Sequence, residues 1–565
     1  MKKNIFNQIK RTLPLGAIAM LMGTVSCTSD FESINTNPNG MKPEDVSLEA
    51  RFSQPITSVY LNYQNRNYEY QLQQNLNADL YSGYMANPTP FGGNFNNSTY
   101  NMNEGWNETP FKAGELYVMK PISVILESTK ELDFTSIAKI IRVEAMHRVA
   151  DIYGPIPYTK AMQGGTSVPY DDLATVYKTF LKELEESVND LTTFVDAGSA
   201  DPKRLSKFDI VCGADHKQWI RFANSLRLRL AMRIVKVESQ LAKETAEAAV
   251  NHKYGVLKDG DKNVEVVDPT LQNPLNEINY AYGDIRIGAS LVSLLDGYKD
   301  PRLQVYVRPV GWFVEKNATQ DIKDKNGKAT NNIGNYIGIR QGIIIPDKAN
   351  YQMYSTINMP DGSKFTDQVG NKSISNALPW MKVAEVYFLR AEGALRGWNM
   401  GGTAQELYEE GIRVSFKEHG ITDTDVYNKY INDDTKVASD YKDPFNPENN
   451  ISGLDKATVK WNEGASKEDK LHKIINQKWI AMFPEGQEAW SEFRRTGYPK
   501  LFPVQTNYSA NVNGGIADGD FVKRLRFPRN DSNSNGAEVE KAKAYLNGPD
   551  NEATRLWWDV AGGNF

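Results

Sequence analysis

The sequence predicts a protein dominated by α-helices, built from helix pairs like those of tetratricopeptide repeats, with a loop-rich region that contains a few short strands. Apolar residues recur at helical spacing through much of the chain. The segments VAEVYFLRAEGALRGW and AQELYEEGIRVSFKEH are joined by NMGGT. Together they have the length of one helix–turn–helix repeat of about 34 residues. Between about residues 251 and 375 the helical period fades, and short runs such as VEVV and NYIGIRQGIII favour strands or extended loops.

Three further segments carry the apolar stripe of a helix. The segment from Ile137 to Ala150 has a stripe broad enough to pack on two sides. The other two are amphipathic over the apolar positions Val176, Phe180, Leu184, Val188, Leu191 and Phe194, and then Trp219, Phe222, Leu226, Leu230, Ile234 and Val237. Several such helices would form a scaffold whose loops carry recognition.

The run DIYGPIPYTKA, which begins at Asp151, follows the first of these helices. It could be a catalytic turn, a ligand loop or a rigid joint between packed helices. Gly154 permits unusual backbone angles, and Pro155 and Pro157 hold the exit extended, which favours the joint. A general acid or base at Asp151 would need a titratable partner, and none is evident nearby. Asp151 would instead accept hydrogen bonds from the turn amides.

Composition narrows the function classes. The chain of 565 residues is 40% hydrophobic and carries a net charge of −5, which does not favour nucleic-acid binding. No HExxH, P-loop, GxSxG or CxxC motif occurs, so the sequence predicts neither catalysis nor a cofactor. The 70 acids nevertheless leave a glycoside hydrolase open, because its paired carboxylates are spatial partners rather than sequence neighbours.

The first 26 residues have the layout of a secretory signal, with a basic start, an apolar stretch and small residues before Cys27. A cysteine at this point resembles a bacterial lipobox, although Thr24 replaces the usual Leu; a plain secreted protein is the alternative. Residues 27–48 would then be a lipid anchor and flexible tether. No later run reaches membrane-span length, so lipid would be the only anchor.

Residues 49–565 are expected to form a single domain. Its helical scaffold would comprise about 49–250 and 376–565, and its loop-rich region about 251–375.

Exposed aromatic rings with amide side chains at their edges would suit a sugar ligand. Two stretches meet this description, YMANPTPFGGNFNNSTYN and the Tyr/Trp-rich region around 282–354. The candidate ligand-binding residues are Tyr84, Phe91, Asn94, Phe95, Asn96, Tyr100, Tyr282, Tyr306, Trp312, Tyr336 and Tyr354. By contrast, we expect these tryptophans to be structural: Trp106, Trp219, Trp380, Trp479 and Trp490.

One motif resembles a calcium loop. Asp531, Asn533 and Asn535 match its first half, but Ala542 stands where the bidentate Glu belongs. Asn-rich turns produce this pattern easily, so we expect a polar turn and leave structural calcium open.

The helix followed by DIYGPIPYTKA resembles the SusD/RagB family of outer-membrane nutrient-binding lipoproteins. The match covers almost the whole chain from Cys27 to Phe565, and the segments that follow the same family pattern are, in order, DFESINTNPNG, DLYSGY, INQKWIAMFPEGQEAWSEFRRTGYP and KRLRFPRNDSNSNG. The order NTNPNG, DLYSGY, DIYGPIPY is closest to the SusD-like starch-binding branch. The resemblance implies a tetratricopeptide-like scaffold with a loop-rich ligand face and no catalysis. It also implies a lipid-anchored protein of the outer-membrane surface that caps a SusC-like TonB-dependent transporter and delivers oligosaccharides to it. Peptides are the alternative ligand, as in RagB-like members.

Overall fold

The computed structural model describes residues 46–62, 66–165, 167–311, 320–360, 373–510 and 515–565. Residues 51–565 form one compact unit. The signal segment, Cys27 and nearly all of the tether lie outside the described residues. Among the described helices, none is both long enough and apolar enough to span a membrane.

Long helices supply most of the architecture, as the apolar periodicity predicts, and the all-α expectation is confirmed. Helices of eight or more residues are numbered in chain order: α1 Lys120–Ser128, α2 Leu132–Tyr153, α3 Leu173–Asp196, α4 His216–Arg233, α5 Ser239–Val250, α6 Ala289–Tyr298, α7 Val383–Leu395, α8 Ala404–Glu418, α9 Thr424–Ile431, α10 Lys467–Met482, α11 Gly486–Thr496 and α12 Gly536–Lys543. Shorter helices are Ser53–Ser58, Asn67–Tyr70, Ala78–Tyr81, Glu104–Asn107, Thr109–Lys112, Pro202–Leu205, Pro274–Asn276, Leu303–Tyr306, Lys348–Tyr351 and Arg529–Ser534. Short π-helical turns occupy Gln71–Asn75, Ala113–Met119 and Glu277–Ala281.

The helices pack mainly against their chain neighbours. Helix α2 lies against α3, α3 against α4, and α4 against α5, while α7 packs on α8 and on α10. The pair α7–α8 is the helix hairpin that the sequence predicts. Thr403 caps α8 through a capping box with Glu406, which fixes where that helix begins. Gly411 allows the close approach of the two helices, since an added Cβ would lie 2.8 Å from the Phe388 ring.

Three two-stranded antiparallel sheets lie within or beside the loop-rich region. Strand β1 (Met85–Ala86) pairs with β3 (Arg286–Ile287), β2 (Val264–Val266) with β6 (Leu378–Met381), and β4 (Val307–Arg308) with β5 (Thr356–Ile357). The prediction of short strands is confirmed at β2. The segment 335–345, expected to be a strand or an extended loop, is a loop with one bridge, and α6 is a helix that the sequence pattern did not reveal.

The joint after α2 has the geometry expected of its residues. Gly154 follows the helix with φ 89°, and an added Cβ would lie 3.1 Å from Leu556. Asp151 is buried, so it is not a solvent-facing catalytic acid. Its carboxylate accepts hydrogen bonds from Tyr177, from Arg233 Nε at 3.2 Å and from Ser491 at 3.3 Å, rather than from the turn amides.

Asp151 belongs to a buried charge network that joins helices from both halves of the unit. Arg233 Nη1 lies 2.7 Å from Glu492 Oε1, and Arg495 Nη2 lies 2.6 Å from Glu392 Oε2. Buried charges are tolerated only when they are paired, so these contacts fix which helix surfaces meet. The network comprises Glu144, Arg148, Asp151, Arg229, Arg233, Glu385, Glu392, Lys478, Glu485, Glu488, Glu492 and Arg495.

Candidate ligand-binding surface

The loop between β1 and the helix Glu104–Asn107 is held in shape by its own asparagines. The side chain of Asn96 accepts a hydrogen bond from the Ser98 amide at 2.9 Å and caps the turn Asn97–Thr99. Asn97 Nδ2 donates to the Leu76 carbonyl at 2.9 Å, which ties the loop to the scaffold. Gly92 and Gly93 adopt positive φ angles of 60° and 68°, which makes the tight bend before Asn94 possible. The loop therefore presents its aromatic side chains from a fixed backbone.

Each of two loop aromatics, Phe91 and Phe95, pairs with a ring from outside the loop, and we call the four rings the aromatic surface: Phe91, Phe95, Trp106 and Tyr508. Phe95 is 55% exposed and Tyr508 36% exposed, and their rings stack with centroids 4.5 Å apart and planes inclined by 15°. Phe91 and Trp106 are half-buried and meet edge to face, with centroids 5.4 Å apart. Trp106 therefore differs from the expected core residue, because its ring packs on a loop instead of between helices.

A polar cavity of about 420 Å³ adjoins the aromatic surface through Tyr508. Tyr100 is buried in its wall, and its neighbours provide amide, guanidinium and carboxylate groups. The volume is within the range of small-molecule sites, about 300–1,000 Å³. The polar lining residues that matter here are Asn101, Glu104, Glu108, Arg526, Asp550, Asn551 and Glu552.

The carboxylates of this cavity already have donors. Arg526 Nε lies 3.0 Å from Glu552 Oε1, and Glu108 accepts from the Asn530 amide at 3.1 Å. Burial raises the pKa of Glu552, and Arg526 opposes this rise. Asp550 is paired with Arg524 at 2.5 Å. Such an arrangement suits hydrogen bonding to hydroxyl groups, whereas proton transfer would need an acid and a base free to face the reacting bond.

Several predicted ligand residues lie in the core instead. Tyr84 and Tyr306 are fully buried, and Tyr354 is 1% exposed, so they present no ring face to solvent. The Tyr84 hydroxyl donates to the Trp479 carbonyl, and the Tyr354 hydroxyl donates to Asp443. Asn96 is also buried, as the turn cap described above. Their burial does not favour a direct contact with a ligand. Ring composition in the sequence does not distinguish a loop aromatic that packs inward from one that points outward.

The remaining predicted residues are distributed around the loop. Asn94 bridges the loop to Ile345, accepting from its amide at 2.9 Å and donating to its carbonyl at 3.0 Å. Tyr282 is partly exposed, and its carbonyl accepts from Lys348 at 2.7 Å. Tyr336 lines a separate cavity of about 290 Å³, away from the aromatic surface. Trp312 lies outside the described residues.

The calcium-like motif forms a helical turn. Residues Arg529–Ser534 are helical, Asp531 accepts from the Tyr170 hydroxyl, and Asn535 accepts from the Val168 amide at 3.1 Å. Asn533 is exposed on the same turn. Because protein donors engage the Asp531 and Asn535 oxygens, this segment does not have the open set of ligands that a calcium loop presents. The absence of a cofactor stays a prediction.

Residues 32–559 match the family model named SusD-like and described as SusD and RagB outer membrane lipoprotein. The chain belongs to the SusD-like family. A chitin-binding SusD homologue from Flavobacterium johnsoniae has a similar structure, with TM-score 0.82 and 41% identity, covering 92% of this chain and 100% of that one. A SusD homologue from Bacteroides vulgatus gives TM-score 0.79 and 32% identity over 92% of this chain and 98% of that one. A SusD homologue from Bacteroides thetaiotaomicron gives TM-score 0.78 and 31% identity, and the match covers 92% of this chain and 100% of that one. A comparison with curated proteins finds no match.

Proposed function

We propose that this SusD-like protein is a non-catalytic lipoprotein of the cell surface that binds oligosaccharides and passes them to a SusC-like TonB-dependent transporter. The observation that supports binding most directly is the exposed, stacked pair Phe95–Tyr508 beside the polar cavity. Large aromatic rings normally gain free energy by being buried, so a solvent-facing stack on a fixed loop points to a ligand.

The chemistry of the surface fits a sugar chain. The C–H face of a pyranose can stack on Phe95 or Tyr508, while Asn101, Asn551 and Arg526 offer donors and acceptors to its hydroxyls. The chitin-binding homologue makes oligosaccharides of N-acetylglucosamine the first ligands to test. Their acetamido groups could add an amide hydrogen bond at an asparagine. Malto-oligosaccharides follow from the resemblance to the starch-binding branch, and peptides are the remaining alternative.

Binding is tested by titration calorimetry on soluble protein that begins after Cys27, with chito-oligosaccharides, malto-oligosaccharides and peptides. Tyr508→Ala should weaken binding of the preferred sugar by up to about tenfold, because one lost aromatic contact is worth up to about 1.5 kcal/mol. Phe565→Ala is the matched control, since Phe565 is 52% exposed and packs against Arg396 instead of lining the cavity. If both variants bind the sugar with equal affinity, the aromatic surface is not the binding site. If the protein binds peptides more tightly than sugars, its ligand is a peptide.

The anchor and the lack of catalysis have their own tests. Cys27→Ala should leave the full chain without label when cells are fed labelled palmitate, and retained label would refute acylation at Cys27.

Pure protein should release no reducing sugar from any oligosaccharide it binds. Sustained release that disappears when one cavity carboxylate is changed to its amide would establish a hydrolase instead. Co-purification with a TonB-dependent transporter from a native membrane would test the partner.

A further inference from the structure

A second and larger cavity, of about 660 Å³, lies on the scaffold and shares no lining residue with the polar cavity. Its walls come from the sheet β2–β6, the segment 209–213 and the C-terminal end of α8. We call it the acidic cavity because two glutamates, Glu265 and Glu418, face it.

Glu265 reaches this cavity because it alternates with buried neighbours on β2. Val264 and Val266 point into the core, so the side chain between them projects to the opposite face. The residue opposite Glu265 in β6 is Pro379, which has no amide hydrogen to donate. Across the described residues, the Glu265 carboxylate forms neither a hydrogen bond nor an ion pair, and the residue is half-buried. Burial, followed by the neighbouring Glu418 charge, raises its pKa to about 7.

Glu418 is only half satisfied. Its Oε1 pairs with Lys382 Nζ at 2.9 Å, and that ammonium also donates to the Phe483 carbonyl at 2.9 Å. Its Oε2 is buried without a hydrogen-bond partner in the part of the chain that the structure describes. Burial alone would raise the pKa of Glu418, but Lys382 holds it below its usual value. One ammonium therefore serves two neighbouring carboxylates.

The other titratable groups of the cavity do not supply the missing charge. Asp209 is engaged by the amides of Val211, Cys212 and Ala214 and by the Trp219 indole. His419 contacts the Tyr306 hydroxyl at 3.1 Å, and burial lowers its pKa to about 3, so it is neutral at physiological pH. Lys262 lines the rim and is exposed to water. Lys382, which is already paired with Glu418, is therefore the one cation of this lining whose charge acts on Glu265, and no described cation is paired directly with the Glu265 carboxylate.

We propose that the acidic cavity binds a small polyhydroxylated molecule with a primary ammonium group, which donates to the Glu265 carboxylate while Ser373 and Ser375 contact its hydroxyls. The volume suits a molecule of one or two sugar rings. An ammonium supplies three donors and one positive charge, which is what the Glu265 carboxylate lacks. A metal ion fits less well, because the described residues contain no cluster of three or more His, Cys, Asp or Glu side chains placed to hold one. The site is independent of the oligosaccharide proposal.

A pair of probes that differ only in the ammonium tests this site: 1-amino-1-deoxysorbitol and sorbitol, titrated into the soluble protein at pH 8. We expect the amine to bind at least ten times more tightly than sorbitol. Glu265→Gln should remove that preference, since the amide keeps the size but loses the charge. Glu540→Gln, an exposed change on α12, is the control and should bind like the unaltered protein.

The number of protons released on binding is a second measurement, and it would not change if Glu265 had only a structural role. At pH 6 Glu265 is mostly protonated, so binding of the amine should release close to one proton, seen as a dependence of the calorimetric enthalpy on the buffer. At pH 8 the release should vanish, and in Glu265→Gln it should be absent at both pH values. Equal binding of both probes, unchanged binding by Glu265→Gln with a normal melting temperature, or no binding of the amine at millimolar concentration would each overturn the proposal.

Discussion

The buried charge network and the aromatic surface reverse the usual distribution of side chains in opposite ways. In the network, arginines and glutamates are removed from water between helices, whereas on the loop phenylalanine and tyrosine rings face solvent. Each reversal needs a compensating partner. The buried charges are paired with opposite charges within the fold, whereas the exposed rings contact only each other. We therefore expect the ligand to bind at the loop and not at the charged motifs.

The same contrast explains the run that begins at Asp151. A catalytic acid was one alternative for Asp151 and a structural joint the favoured one; Arg233, Tyr177 and Ser491 hold its carboxylate inside the scaffold. The Asp151 carbonyl also accepts from Arg494 Nη1 at 2.6 Å. The run that begins at Asp151 is therefore a structural joint, tied to α11 through Ser491 and Arg494.

The strongest way to break the network is to remove Arg233, which is fully buried and touches Asp151, Glu488 and Glu492. Arg233→Met should lower the free energy of unfolding by about 3–5 kcal/mol, because it removes a buried cation that is paired with three buried carboxylates. Urea unfolding followed by circular dichroism measures the loss.

The control for Arg233→Met is an ion pair nearer the surface. Arg413 is 39% exposed and pairs with Asp259 and Glu410, so Arg413→Met should cost about 1 kcal/mol or less. Similar losses in the two variants would mean that burial does not decide the contribution of these charges.

Glu265 sharpens the comparison because it is a half-buried acid outside the network. For Glu492, burial would raise the pKa, but Arg495 and Lys478 hold it well below its usual value. For Glu265, burial and the Glu418 charge outweigh the opposing charge of Lys382, and the pKa rises to about 7. A raised carboxyl pKa contributes stability below about pH 4.5 that is lost as the pH rises through 7. The stability of the unaltered protein relative to Glu265→Gln should therefore fall between pH 4.5 and 8, by at most about 3 kcal/mol.

Chemical unfolding of the unaltered protein and of Glu265→Gln across that pH range shows whether their stability difference falls or rises with pH. A difference that stays constant with pH would show that Glu265 has no raised pKa in the folded state. A difference that grows in favour of the unaltered protein at pH 8 would show that a cationic partner reaches the carboxylate.

Much of the scaffold could be predicted because helix periodicity is a local property. Helices α2, α3, α4, α7 and α8 coincide with the apolar stripes of the sequence. Helix α6 was missed because it has ten residues and is apolar on nearly every side, from Ala289 to Leu295, so it has no amphipathic stripe. The partners of Asp151 could not be predicted, because Arg233 and Ser491 lie 82 and 340 residues away in the chain.

Only part of the candidate site could be predicted from the sequence. The Gly- and Asn-rich composition indicated the loop that carries Phe91 and Phe95, but the ring stacked on Phe95 comes from Tyr508, in a segment without an aromatic pattern. Arg526 and Glu552 were likewise missed, because only the folded chain brings the closing segment against this loop. Tyr84 and Phe95 have similar surroundings in sequence and opposite exposure.

The smallest expected effect concerns the second aromatic pair. Trp106 is half-buried against the edge of Phe91, so it offers less free ring face than the stack of Phe95 and Tyr508. Trp106→Ala should therefore weaken oligosaccharide binding about threefold, less than Tyr508→Ala, with a loss that grows with chain length as more sugar units reach the second pair. Calorimetry with a series from dimer to hexamer measures this, with Tyr545→Ala as the control because Tyr545 is 49% exposed and does not line the polar cavity. A loss that is the same for every length would mean that Trp106 supports the loop, whereas a loss greater than that of Tyr508→Ala would make Phe91 and Trp106 the principal contact.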